Sequence, residues 1–175
     1  MLFRSDIDRL TRAVSQMLLS ARLQSRQIGS VERLALAPLV RDVVAEVAPL
    51  AQANDRDVVL ESIGQPHIIG SAPALESAVR NLVENALRFS PRGKSVLVRV
   101  GPGGVVVVED RGPGVPAADR QHIFEPFWRS VGQRGDGAGL GLAIVRDVAE
   151  LHGGSVDVED RPGGGARFVL TLGHQ

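Results

Sequence analysis

Fifteen of the 20 glycines in this 175-residue chain lie between Gly101 and Gly165. Glycine in a helix interior costs about 1 kcal/mol against alanine, and it weakens strands as well. A chain that concentrates glycine in one stretch gives up regular structure there. In exchange it gains backbone that turns tightly or comes close to a ligand. Long helices must therefore come mostly from the residues before the cluster. The cluster itself must supply short strands, turns and exposed N–H groups.

Composition narrows the class. Hydrophobic residues make up 43% and charged residues 23%, enough for a packed core and too apolar for disorder. Lys+Arg is 20 and Asp+Glu is 20, so there is no basic excess of the kind a nucleic-acid binder shows. With no cysteine, disulfides, thiolate metal sites and thiol catalysis are excluded. No apolar run reaches the roughly 18 residues of a membrane-spanning helix. Arg4, Asp6, Asp8, Arg9 and Arg12 interrupt any apolar signal core at the start. The expected location is cytoplasmic.

Hydropathy periodicity divides the chain at Gly29-Ser30. Before it, Ile7, Leu10, Val14, Met17, Ala21 and Ile28 recur at spacings of three and four, with Gln24 filling the remaining slot. That heptad seam predicts a helical arm over residues 1–29, which must bury its stripe against a partner helix in a dimer or bundle. Residues 30–175 form the second unit. A short strand over 31–37 leads to a helix with Pro38 in its first turn, running to about Asn54, with Leu39, Val43, Val47 and Leu50 on one face. Short strands at 58–63 and 67–69 flank Gly64-Gln65-Pro66. Ser71 caps the next helix, which buries Leu75, Val79, Leu82 and Ala86 and stops at Ser90-Pro91. Strands at 95–100 and 105–109 make a hairpin, and the run Val105-Val106-Val107-Val108 marks a strand buried on both faces. A helical turn near 117–124, a helix over 140–151 and a hairpin of 156–160 with 167–172 complete the chain. Helices and strands mix without regular alternation. The fold class is α+β: a two-layer α/β sandwich with one mixed, mostly antiparallel sheet and helices on one face.

Four motifs carry chemistry. In Asn81-Leu82-Val83-Glu84-Asn85, the two asparagines are i and i+4 and Arg88 continues their face. They read either as an exposed polar face or as neutral oxygen ligands for a water-rich Mg²⁺ beside a phosphate-facing cation. Glu109-Asp110-Arg111-Gly112-Pro113-Gly114 follows the valine strand: an ordinary Asp-Gly turn, or a fixed carboxylate that accepts from an amine such as that of adenine, beside bare backbone. Phe124-Glu125-Pro126-Phe127-Trp128-Arg129 holds three of the six aromatics and precedes a polar, glycine-rich stretch. That order suits a core plug, a hinged lid over a ligand, or both. Gly135-Asp136-Gly137-Ala138-Gly139-Leu140-Gly141-Leu142 opens a helix, and its N–H groups with the helix dipole suit a triphosphate.

The ordered set resembles the N, G1, F and G2 boxes of bacterial sensor histidine kinases, over about residues 31–172. These kinases belong to the ATPase superfamily shared with gyrase, MutL proteins and the ninety-kilodalton heat-shock chaperones. Residues 6–25 also look like the second helix of the kinase dimerisation domain. The resemblance implies a Bergerat-type sandwich that binds Mg-ATP. By position, Asn85 would hold Mg²⁺, Asn81 would touch the phosphate or metal shell, and Arg88 would face phosphate. Asp110 would take the adenine amine beside Gly112 and Gly114. Phe127 and Arg129 would border the nucleotide, with Gly137, Gly139, Leu140, Gly141 and Leu142 on its phosphate side. Glu84 would assist as a base.

The chain departs from that family at three points. No histidine among His67, His122, His152 and His174 lies in a phosphoacceptor motif, so autophosphorylation within the chain is not expected. Ala166 stands where a threonine is common, and Phe89 replaces a hydroxyl-bearing aromatic. The function implied is γ-phosphate transfer to a histidine on a separate or missing dimerisation domain, with a response regulator downstream. The alternatives are a nucleotide-gated interaction module that dimerises through residues 7–28, and an anti-sigma-type serine kinase. The whole could be the cytoplasmic part of a membrane-bound sensor.

Overall fold

A computed structural model describes residues 30–129 and 139–173. The elements run β1 (Glu32–Ala35), α1 (Leu36–Ala53), β2 (Arg56–Ser62), β3 (His67–Gly70), α2 (Ala72–Phe89), β4 (Lys94–Gly101), β5 (Val105–Glu109), α3 (Gly141–Leu151), β6 (Ser155–Asp160) and β7 (Ala166–Thr171). The four-valine run is the middle strand of a five-stranded sheet of order β2-β4-β5-β7-β6. Only the β2–β4 pair is parallel; the other three are antiparallel. A parallel pair needs a long crossover, and β3 with α2 supplies it.

Pleating sends alternate residues to opposite faces. Val96, Val98, Val100, Val106, Val108, Phe168 and Leu170 face one way and are fully or almost fully buried. They share one core with Leu36, Val40 and Val43 of α1, Leu75, Val79 and Leu82 of α2, and Ile144, Val145 and Val148 of α3. Burying each such side chain contributes about 1.5–3 kcal/mol, so the helices are held to one face of the sheet. The other face carries charge. Glu61 (β2), Arg99 (β4), Glu109 (β5), Arg167 (β7) and Glu159 (β6) form a ladder of alternating sign, with N–O distances of 3.0, 3.6, 3.5 and 2.6 Å in that order.

Several expectations are corrected in detail. The sheet is not the only one: β1 and β3 pair with each other as a separate antiparallel ribbon, from Glu32↔Gly70 to Ala35↔His67. Helix α1 begins at Leu36, ahead of Pro38, which still falls in the first turn where its missing N–H costs nothing. Leu50 is 55% exposed, because the buried residue of the last turn is Ala51, four after Val47. Ser71 is the N-cap residue of α2, but its side chain makes no capping bond. Its N–H instead donates to His152 Nε2 at 3.1 Å. Residues 117–124 are turn throughout, as the expected short helical turn requires, with N–H bonds from Asp119 to Pro116 and from His122 and Ile123 to Asp119. That path delivers Phe124 to the core, where its ring meets Phe168 edge-on at 6.5 Å. The helical arm of residues 1–29 lies outside the described residues, as do His174 and residues 130–138 with Gly137.

Candidate functional site

Helix α2 is the common wall of the site. Its apolar stripe faces the sheet, and Asn81, Glu84, Asn85 and Arg88 follow a separate line along it. Asn81 is 9% exposed, Glu84 and Asn85 are half-buried and Arg88 is exposed. Asparagine is a poor helix former because its amide competes for backbone groups. Asn81 does so within its own helix: Nδ2 donates to Ser77 O at 2.8 Å. Its Oδ1 then points at the start of α3, where a Cβ on Gly141 would lie 2.8 Å away. Arg88 lays its guanidinium 5.4 Å from the ring centroid of Phe89, a cation–π contact.

The far end of α2 meets the loop that carries Asp110. This carboxylate is 2% exposed. Its Oδ1 accepts the N–H of Gly112 at 2.8 Å and that of Ala166 at 3.0 Å. Its own N–H donates to Ala166 O at 2.9 Å. Among the described residues, both bonds to the carboxylate fall on Oδ1, so Oδ2 keeps its acceptor capacity. Gly112 packs so closely that a Cβ there would lie 2.8 Å from Phe89 O, and Gly114 turns with φ +81° against Gly165. Neighbouring backbone therefore demands glycine at both positions, whatever a ligand adds.

Helix α3 opens at Gly141 after Leu140, which is buried at 4%. Gly139 and Leu142 are half-buried. The first-turn N–H groups of a helix lack intrahelical partners and carry the positive end of its dipole. Gly139 has φ +70° and packs on the backbone of Phe127 and Trp128, and its carbonyl accepts the Phe127 N–H at 2.9 Å. Phe127 is 62% exposed with φ +65°, a strained conformation for a bulky residue. The F-box aromatics thus divide: Phe124 is a core plug, Trp128 packs partly on the core, and Phe127 stands in solvent. Arg129 is exposed.

Three groupings result. Asn81 meets Gly141, Asp110 and Gly112 meet the end of α2, and Phe127 meets Gly139. The sequence reading missed Ser90, Arg56 and Gly165, all of which support Asp110 or the end of α2. The only signals for them were a serine ending the helix and the Gly163-Gly164-Gly165 run. Among the described residues no group of three or more His, Asp or Glu is placed to hold a metal ion. A metal here would rely on phosphate oxygens, water and a neutral amide. That suits Mg²⁺, which keeps several waters, and Asn85 fits that part.

The sandwich with these elements is the Bergerat-type ATP-binding fold. The chain belongs to the family of histidine kinase-, DNA gyrase B- and HSP90-like ATPases, whose model matches residues 70–175. Within the family it resembles the catalytic domain of sensor histidine kinases. It is 39% identical to the sensor protein QseC of Salmonella typhimurium over 94% of this chain and 37% of that protein. It therefore spans little more than a third of that relative. The structure of the mycobacterial sensor histidine kinase MprB superposes with TM-score 0.69 at 31% identity, covering 83% of this chain and 100% of the other. Full-length ShkA in complex with AMPPNP superposes with TM-score 0.79 at 31% identity, covering 98% of this chain and 38% of that one. Among the described residues no helix is long and apolar enough to cross a membrane.

Proposed function

We propose that this chain binds Mg-ATP and passes the γ-phosphate to a histidine on a dimerisation domain, upstream of a response regulator. The observation that carries the reading is the convergence on α2. Its middle meets the N-terminus of α3, which in this reading takes phosphate, and its end meets the loop that carries Asp110, which in this reading takes an amine. A ligand with an amine at one end and phosphates at the other matches both. The similar ShkA structure is a complex with AMPPNP, which supports a nucleotide as the ligand.

Phosphoryl transfer needs positioning and charge neutralisation more than covalent help. Asp110 Oδ2 takes the adenine amine, with Gly112 and Gly114 beside the base. Asn85 contributes an oxygen to Mg²⁺, which when bound neutralises phosphate charge. Asn81 lies next to the phosphate side and orients the start of α3. Arg88 and Arg129 supply positive charge, and Phe127 borders the nucleotide. Gly139, Leu140, Gly141 and Leu142 present the helix N-terminus, and the motif assigns Gly137, outside the described residues, to the phosphate as well. Glu84 is the base candidate on α2. The gyrase-like ATPases carry a glutamate where Asn81 stands, and a neutral amide cannot take a proton from water. ATP is therefore held and hydrolysed slowly, which keeps the γ-phosphate for the acceptor.

The acceptor histidine lies outside this chain in this reading. His152 is buried, with Nδ1 on Val148 O at 2.7 Å and Nε2 receiving the Ser71 N–H. His67 and His122 bond their own loops, at Gln65 O and Glu125 Oε1. The site would work on the cytoplasmic side of a membrane sensor. The test is labelled ATP with a dimerisation domain from a related kinase. Acid-labile, base-stable label on that partner is expected. Tight binding without transfer would favour an interaction module, and acid-stable label on serine would favour a serine kinase. Steady-state hydrolysis at about 1 s⁻¹ or faster, in the range of ordinary enzymes, would contradict the slow-hydrolysis part.

A further inference from the structure

We propose that Ser90, braced by Arg56, is a positioning residue that sets the aim of Asp110 and so the preference for a 6-amino purine. The inference rests on the reading above that Asp110 accepts the adenine amine. Ser90 is 1% exposed, and a buried hydroxyl needs a reason. It joins three elements. Its N–H closes α2 on Ala86 O at 2.9 Å. Its carbonyl accepts Arg56 Nε from β2 at 2.8 Å. Its Oγ accepts the Arg111 N–H at 3.2 Å, from the loop after β5.

Arg111 is the residue between Asp110 and Gly112. The Asp110 loop is therefore held from two sides. On the β7 side, Ala166 exchanges bonds with Asp110 through both N–H and carbonyl. On the α2 side, the contacts are Ser90 Oγ on Arg111 and Phe89 O against Gly112. If the hydroxyl is removed, the Arg111 N–H loses its acceptor and nothing but the Phe89–Gly112 packing sets that side. Arg56 guards the same junction from outside. Its Nε binds Ser90 O while its Nη1 binds Asn54 O at 3.0 Å, so the fork pins the end of α2 to the start of β2. Hydrogen bonds weaken steeply with misalignment. A shift of Asp110 by a few tenths of an ångström thus penalises a ligand that donates to it. A ligand that cannot donate gains nothing from the correct aim and loses little from the wrong one.

That asymmetry separates positioning from general structural support. ATP offers a 6-amino donor, whereas ITP offers a 6-oxo acceptor in a base of nearly the same shape. Affinities for both are measured by competition with a fluorescent nucleotide, in the full chain, for wild type, Ser90→Ala, Arg56→Met and Asp110→Asn, with melting curves for each. Ser90→Ala is expected to lower the ATP-over-ITP preference by about tenfold, the size of one hydrogen bond, mainly through ATP. ITP affinity should stay within about twofold, a few tenths of that change on the same scale. Arg56→Met, on the edge strand β2, should shift the ratio the same way by a smaller factor. Asp110→Asn keeps Oδ1 for the backbone but turns a donor to the ligand, so the preference should invert.

Equal weakening of ATP and ITP by Ser90→Ala, or no change in either, overturns the clamp. If Ser90→Ala does not fold, Arg56→Met decides, and an unchanged ratio there overturns it. An unchanged preference in Asp110→Asn overturns the assignment of Asp110 itself. An inverted preference there, with no shift in the other two variants, removes the clamp alone.

Discussion

The side-chain oxygen of Asn81 and the backbone of Gly141 fill one gap between α2 and α3: a Cβ on Gly141 would lie 2.8 Å from Asn81 Oδ1. The middle of one helix reaches the first residue of the next only because that residue has no side chain. Alanine is the better helix former by about 1 kcal/mol, so a helix-propensity argument would favour Gly141→Ala. Overpacking works against it, at about 1–3 kcal/mol. We expect Gly141→Ala to lower stability on balance and to weaken nucleotide binding. The double variant with Asn81→Ala should recover stability toward that of Asn81→Ala alone. Melting of all four species checks this, and simple additivity of the two changes would show that the gap is not shared.

Gly165 and Gly64 both adopt positive φ, at +106° and +79°, but only one of them is boxed in. A Cβ on Gly165 would lie 2.2 Å from Asp110 O, while nothing lies within 4 Å of one on Gly64. Gly64→Ala should therefore cost only the left-handed backbone penalty, about 1–2 kcal/mol. Gly165→Ala must also displace the strand end that holds Asp110, and its urea midpoint should fall much further. Equal midpoints in the two variants would mean that the loop yields without cost.

Asp147 on α3 has a carboxyl raised above its ordinary value of 3.8, chiefly by burial, with Glu150 adding to the shift and Arg146 opposing it. A carboxyl raised in the folded state holds its proton more tightly there than in the unfolded chain. Its contribution to stability is fully present below 3.8 and is lost as pH rises through the raised value. At neutral pH the charged form is a burden. Asp147→Asn should thus melt higher than wild type near pH 7, and the gap should shrink as the pH is lowered toward the ordinary carboxylate range. A gap of constant size from acid to neutral pH would assign the effect to something other than this proton.

Much of the fold was legible because it is local. The spacing of Leu75, Val79, Leu82 and Ala86 specified α2, and four consecutive valines specified the central strand, since both patterns report burial directly. The motif residues were legible as chemistry and in their order along the chain. What each glycine does was less so. Gly112 and Gly141 read as openings for a ligand, yet both also admit neighbouring protein atoms. Pairing that is remote in sequence leaves no periodic trace. Ser90 is tied to Arg111 across 21 positions and to Arg56 across 34, so nothing near it announced the role. The β1–β3 ribbon escaped for the same reason. Leu50 escaped because apolar character alone does not say which residue of a last turn faces the core.

Glu109 and Asp110 are adjacent carboxylates at the end of the valine strand, and they serve different faces. Asp110 turns to backbone N–H groups. Glu109 lies on the ladder face, its side chain 11% exposed, with Arg99, Arg161 and Arg167 at 3.6, 3.2 and 3.5 Å. Glu61 and Glu159 each pair with one of these arginines, but Glu109 alone of the three carboxylates meets all of them, so its charge offsets most of their mutual repulsion. Glu109→Gln keeps the shape and removes that charge. Breaking a fully buried pair costs about 3–5 kcal/mol, and exposed pairs are worth about 1 kcal/mol or less. The arginines here are partly exposed, so a loss of about 1–3 kcal/mol is expected between those limits. Near 1 M salt, where the screening length is about 3 Å, the deficit should narrow because the arginines no longer repel one another. Nucleotide affinity should hold, since the ladder is on the face away from the helices. Urea unfolding at low and high salt, with nucleotide titration alongside, checks all three. A deficit insensitive to salt would mean that lost packing, and not the cluster of positive charge, destabilises the variant.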